Sequence, residues 1–219
     1  MYHVKICGVR ELPSAILATM GGAHFLGFNF VPNSRREVNA KDVRIMIEQL
    51  RQKSEYATPQ MVGVFANQPT LYVNAVAEFC NLDLIQLSGE EPMAVSASMI
   101  KPVIKAIKVN PDASDDEEFR RVEQLVTIAE KKGILPLLDR YDASAYGGTG
   151  KSINWHFAKK VGRNHRILLA GGLTPENVAE AIDIAKPWGV DVASGIETNG
   201  TPDPIKIAHF LEEAHRLSK

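Results

Sequence analysis

Residues 167–195 read ILLAGGLTPENVAEAIDIAKPWGVDVASG, and the fold turns on how this stretch is parsed. It begins with a short apolar run, Ile167–Leu169. A run apolar on both faces fits a parallel strand covered by helices. Gly171-Gly172 follow, and then Thr174-Pro175, a capping residue with proline at the first helical position, which predicts a helix start. Val178, Ala181, Ile182 and Ala185 repeat at i, i+3, i+4, i+7, the stripe of a helix with one buried face. Gly189–Val192 is a second apolar run, and it leads into Ala193-Ser194-Gly195. Strand, helix and strand in this order form one unit of a parallel sheet.

The same alternation runs outward along the chain. Strand-like runs stand at Tyr2–Ile6, Phe25–Phe30, Met61–Phe65, Leu84–Leu87, Val103–Val109 and Leu135–Leu138. Helical stripes lie between or after them. They are Val43, Met46, Ile47 and Leu50; Val73, Val76, Ala77 and Cys80; Val122, Leu125, Val126 and Ala129; and Ile207, Phe210, Leu211 and Ala214. Residues 151–162 carry a less regular helical pattern. Eight βα units with no linker or composition break predict an α/β chain forming a single (β/α)₈ TIM barrel, one catalytic domain over residues 1–219. An open doubly wound sheet is the alternative, and no GxGxxG turn supports it.

Composition narrows the partners. The 219 residues are 45% hydrophobic and 23% charged, with a formal net charge of −1. No basic run marks a nucleic-acid footprint. No signal peptide, transit sequence or long apolar span points to a membrane. The two cysteines, Cys7 and Cys80, suit a reducing cytoplasm. No cysteine/histidine spacing suggests a metal site, and the six histidines are scattered. Both a monomer and a homodimer are compatible with these features.

AYGGTGKS, residues 145–152, resembles the end of a phosphate-cradling P-loop. The motif fails at its first glycine, because position 145 is alanine. Six residues also separate Asp139 from the first glycine of the segment, where a P-loop leaves its strand directly. A loop covering a different active site is the better reading.

In a TIM barrel, chemistry collects at the C-terminal ends of the strands. Cys7 ends the first, and Lys5 projects from the same strand face, where an ammonium would favour the thiolate. Cys80 lies on an apolar helical stripe and reads as inert core. Asp139 ends the sixth strand, where a carboxyl group needs either a role or a partner such as Arg140. Gly171, Gly172, Ser194 and Gly195 fall in the loops after strands seven and eight, which often hold phosphate in such barrels. Ordinary turn glycines are the bland alternative.

In combination, KICGVR (5–10), GFNFVPNSRR (27–36), VGVF (62–65), IQLSGEE (85–91), IKAIKV (104–109), LLD (137–139), YGGTGKSINW (146–155), LAGGLTPENV (169–178) and VDVASGIE (190–197) resemble the phosphoribosylanthranilate isomerase family. The resemblance spans nearly the whole chain. It implies a (β/α)₈ barrel that needs no cofactor and no metal and acts on a small phosphorylated substrate in tryptophan biosynthesis. The implied reaction is an Amadori rearrangement of N-(5-phosphoribosyl)anthranilate, with Asp139 as general acid and Cys7 as general base. Arg36 would bind the anthranilate carboxylate, and the four loop residues just named would hold the phosphate. Gln86 and Asp191, at strand ends, are placed to orient sugar hydroxyls. The YGG-x-GK segment would belong to a closing loop. Two departures stand out: Ser88 replaces a common histidine, and Ala193 a common serine. Another phosphate-binding barrel enzyme and a barrel without activity remain the alternatives. Indole-glycerol-phosphate synthase would need a lysine and glutamate pattern that is not found, and an inactive barrel would not need to keep both Cys7 and Asp139.

Overall fold

The computed structural model describes residues 2–52, 57–110, 115–140 and 153–216. Eight parallel strands close into a barrel in sequence order. They are β1 (His3–Cys7), β2 (Phe25–Asn29), β3 (Gln60–Phe65), β4 (Leu84–Leu87), β5 (Val103–Val109), β6 (Leu135–Arg140), β7 (Leu168–Leu169) and β8 (Gly189–Val192). The ring closes where β8 pairs with β1, setting Lys5 opposite Asp191.

Both faces of these strands are buried, which is why they read as short apolar runs without alternation. Phe25, Val62, Leu84, Ile104, Ala106, Leu137 and Leu168 pack together inside the barrel. Val4, Ile6, Leu26, Phe28, Met61, Ile85, Ile107, Leu138 and Val190 face outward and join the helices in a second core. The helices are α1 (Leu12–Met20), α2 (Ala40–Gln52), α3 (Thr70–Phe79), α4 (Asp115–Lys131), α5 (Trp155–Gly162), α6 (Val178–Ala185) and α7 (Pro204–Arg216). Their predicted stripes turn inward; Val43, Val73, Val122, Val178 and Ile207 are fully buried. Asn154 caps α5, accepting the N–H groups of His156 and Phe157.

The structure departs from expectation in three places. The connection after β4 is a 3-10 turn, Met93–Ser98, in place of an α-helix. Only fifteen residues (88–102) separate β4 from β5, and Pro92 and Pro102 bracket the turn. The helix foreseen at Pro175 begins instead at Val178. Asn177 is the reason. Its Oδ1 accepts the Thr174 N–H at 2.8 Å and its Nδ2 donates to Gly172 O, so residues 175–177 form a separate turn. Beyond β8, a 3-10 turn (Ser194–Ile196) leads into a small hairpin of β9 (Glu197–Thr198) and β10 (Thr201–Pro202) before α7. The barrel thus presents two ends, and the strand C-termini all point to one of them.

Candidate active site

At that end a pocket of about 120 Å³ is lined by Cys7, Arg36, Gln86, Asp139, Gly171, Gly172, Asp191 and Ser194. Eight residues predicted from six separate stretches of sequence are therefore gathered at one mouth. Gly195 stands just outside the lining, and packing explains its identity. A Cβ there would lie 1.8 Å from Leu173 O, so glycine lets the β8 loop press against the β7 loop.

Cys7 and Lys5 share the inner face of β1. Lys5 is fully buried and pairs with Asp191 at 2.8 Å. Burial opposes the Lys5 charge, but Asp191, and then Cys7, hold it as ammonium, with its pKa raised. Burial also pushes the Cys7 thiol upward; Lys5 pulls against it, and Asp191 adds to the rise. A thiol made more acidic by Lys5 was the expectation. In the free protein the net shift is opposite, because burial outweighs an ammonium already shared with a carboxylate.

Arg36 is nearly buried and forks onto Glu197, with Nε donating to Oε1 at 2.6 Å and Nη2 to Oε2 at 2.8 Å. Nη1 lies outside that fork. Gln86 donates through Nε2 to Ser88 Oγ at 3.0 Å, while its Oε1 is buried without a partner. Whichever way the amide is turned, one end meets Ser88 and the other is left for a ligand or water. Ser88 thus has a place in the site without the missing imidazole.

Asp139 does not stand alone in an apolar mouth, nor does it pair with the Arg140 side chain. Its Oδ2 accepts from Lys108 Nζ and its Oδ1 from the Arg140 backbone N–H at 2.9 Å. The register sets Lys108 directly beside Asp139. Among the charged residues of the site, Lys108 and Glu197 are the ones that the sequence did not single out. Lys108 had a signal: it follows Ile104 and Ala106 at period two on the inner face of β5. Glu197 closes the VDVASGIE stretch, but nothing local pointed to its partner Arg36, 161 positions away.

Gly171 and Gly172 adopt φ of +83° and +74°, which glycine alone takes at little cost. The Asn177 bond to Gly172 O orients this turn. Ser194 and Gly195 open a 3-10 turn, whose first N–H groups have no partner within it. The two loops form a concave run of backbone at the mouth. The AYGGTGKS segment, 145–152, read from sequence as a closing loop, lies outside the described residues.

A larger cavity, about 1100 Å³, opens at the opposite, N-terminal end, among His3, His24, Phe25 and Trp188. Size does not make it the better candidate, since chemistry in this architecture gathers at the strand C-termini.

Residues 4–213 match the family model described as N-(5'-phosphoribosyl)anthranilate (PRA) isomerase. The chain belongs to the phosphoribosylanthranilate isomerase family. Among relatives in this family, one from Roseiflexus sp. (strain RS-1) is 39% identical over 222 residues, covering 100% of both chains. One from Dehalococcoides mccartyi is 38% identical over 212 residues, covering 97% of this chain and 95% of its own. The solved phosphoribosylanthranilate isomerase of Thermotoga maritima superposes with a TM-score of 0.84 at 31% identity, covering 99% of this chain and 100% of that one. A further isomerase structure, in complex with reduced 1-(o-carboxyphenylamino)-1-deoxyribulose 5-phosphate, superposes with a TM-score of 0.78 at 30% identity, covering 99% and 100%.

Proposed function

We propose that this chain is a phosphoribosylanthranilate isomerase, converting N-(5-phosphoribosyl)anthranilate to 1-(2-carboxyphenylamino)-1-deoxyribulose 5-phosphate in tryptophan biosynthesis. One observation carries the residue assignments: Cys7 and Asp139 line the same small mouth pocket as the Gly171-Gly172 turn. A candidate base, a candidate acid and a backbone phosphate cradle thereby meet within the reach of one sugar phosphate.

The steps follow from what each group can do. Asp139 gives a proton to the furanose ring oxygen, the C1–O bond breaks, and the anthranilate nitrogen becomes a protonated imine. The Cys7 thiolate takes the proton from C2, and the electron pair left behind forms the C1=C2 bond of a neutral enolamine. Tautomerisation moves the C2 hydroxyl proton away and adds one to C1, giving the ketone. For Asp139 to reach the ring oxygen, its contact with Lys108 must give way to one with substrate. Arg36, aimed by Glu197, keeps Nη1 for the anthranilate carboxylate. The unpartnered end of Gln86 suits a sugar hydroxyl, as does the Asp191 oxygen not bound to Lys5. Backbone N–H groups of Gly171, Gly172, Ser194 and Gly195 hold the 5-phosphate.

This reading treats residues 1–219 as one catalytic barrel acting in the cytoplasm. Two observations support that setting: both cysteines are free, and no described helix is long and apolar enough to cross a membrane. A homodimer is one option for its assembly, since the Thermotoga maritima relative is dimeric, and monomers derived from it also exist. The test is to add N-(5-phosphoribosyl)anthranilate to the purified protein and follow its fluorescence. A protein-dependent change that yields the aminoketose supports the reading, and none at any protein concentration rejects it.

A further inference from the structure

We infer that Lys5 is a positioning residue for Cys7: clamped by Asp191 and seated in space left by Gly27, its ammonium governs how readily the thiol releases its proton. This rests on the reading of Cys7 as the base. It gives Asp191 a role beyond contact with a sugar hydroxyl.

The barrel interior is otherwise closed by apolar side chains such as Phe25, Val62, Ile104 and Leu168. Lys5 sits among them with no solvent exposure, and its partner Asp191 is almost as deep. A buried ion pair of this kind is weak evidence for stability, because desolvation of both charges offsets their attraction. An apolar side chain of similar volume would fill the same space without that cost. The location of the ammonium is therefore what calls for explanation.

Gly27 supplies the geometric argument. It pairs with Cys7 across β1 and β2. A Cβ at position 27 would lie 2.8 Å from Cys7 Sγ and 3.0 Å from Lys5 Nζ. Thiol and ammonium therefore border the same small void, which any larger residue would occupy. On the far side, Asp191 Oδ1 accepts from Nζ at 2.8 Å.

The charged groups around Cys7 are Lys5 on its own strand, Asp191 on β8 and Arg36 after β2. Asp191 in turn feels Asp139 on β6. Lys5 and Arg36 draw the thiol toward thiolate, while Asp191 works against it. The arrangement thus has opposed parts: one group that promotes the base and one that anchors the promoter while restraining it.

Opposed parts predict opposed shifts. The pH dependence of Cys7 alkylation by iodoacetamide reads them without any need for turnover, with Cys7→Ser protein subtracting the contribution of Cys80. Lys5→Met moves the midpoint upward by at least about one pH unit, and Asp191→Asn moves it downward. The limb of kcat/KM that follows Cys7 shifts in the same directions. A merely structural role would move both variants the same way or neither. Superimposed profiles for wild type and Lys5→Met overturn the inference. So does an unchanged or raised midpoint in Asp191→Asn, which decides alone if Lys5→Met does not fold. Full turnover by Cys7→Ser would instead overturn the reading of Cys7 as base, while the alkylation shifts would still judge Lys5.

Discussion

At the C-terminal end of the barrel, the ion pairs Lys5–Asp191, Arg36–Glu197 and Lys108–Asp139 stand around a pocket of about 120 Å³. At the N-terminal end, a cavity of about 1100 Å³ has the rings of His3, His24, Phe25 and Trp188 in its wall. His3 stacks on Trp188 at 3.9 Å between centroids, and the Arg166 guanidinium lies 3.8 Å over the other ring of that pair, Trp188. Burial lowers the pKa of both His3 and His24, so these rings stay neutral over a wider pH range. The difference teaches that room is not chemistry. The large end offers mainly apolar walls, with Glu130 and Arg166 at its lining and histidines whose pKa burial lowers. The small end offers charges fixed in opposed pairs, backbone N–H groups left over by the opening of a 3-10 turn, and a glutamine with one free end. Ligands that react need the second kind of surface.

Four changes would break or sharpen this comparison. The largest effect is expected from Cys7→Ser, which should lower kcat by ~10²–10⁴-fold or more, the usual contribution of a general base. Because burial holds the Cys7 thiol above its ordinary range, wild-type kcat/KM should climb with pH through neutrality into the alkaline region. That limb should vanish in the serine variant; near wild-type turnover would remove Cys7 from the mechanism.

Gly172→Ala comes next. The residue sits at φ +74°, where any side chain strains the turn and tilts the N–H groups proposed for phosphate. KM should rise by about tenfold, equivalent to ~1.4 kcal/mol of binding, and competition by inorganic sulfate should weaken. An unchanged KM would move the phosphate elsewhere.

The opposite end should respond in stability alone. Trp188 is partly buried against His3 and Phe25, so Trp188→Ala should cost about 2–3 kcal/mol, below the range for a fully buried tryptophan. Denaturant unfolding measures the loss, and activity per folded molecule should not change. A drop in kcat would tie the N-terminal end to catalysis and break the contrast.

The smallest effect concerns the other cysteine. Cys80 lies in the core against Ala40 O, and burial pushes its thiol up to about 11. The folded state therefore keeps that proton after the unfolded chain has lost it. The sign follows: stability from this group is complete below the unfolded thiol pKa and is lost as pH rises toward about 11. Cys80→Ala should remove that alkaline slope while lowering stability at neutral pH, as read from urea midpoints.

These contrasts also explain what could be read from sequence. Strands such as Leu84–Leu87 and Val103–Val109 were legible because burial on both faces leaves an unbroken apolar run. The stripe of α2 was legible because its outer face is polar. Helix α1 was not, since Ser14, Ala15 and Ala18 form its buried side and small residues give a weak period. Thr174-Pro175 misled because the Asn177 side chain, not the local pattern, decides where that helix begins. In the site, Cys7, Asp139 and the Gly171-Gly172 turn could be placed by counting to the ends of strands. The pairings could not. Arg36 meets Glu197 and Lys5 meets Asp191 only after the barrel has closed, and Lys108 was masked by the apolar run that carries it.

The most direct test of the account is the kinetics of Asp139→Asn with N-(5-phosphoribosyl)anthranilate, alongside the circular dichroism of the same preparation. Asparagine keeps the size and removes the transferable proton, while the proposed phosphate and carboxylate contacts lie on other residues. The account predicts a folded protein whose kcat falls by orders of magnitude and whose KM changes little, the signature of an interaction made only in the transition state. A folded Asp139→Asn protein with wild-type kcat would contradict it.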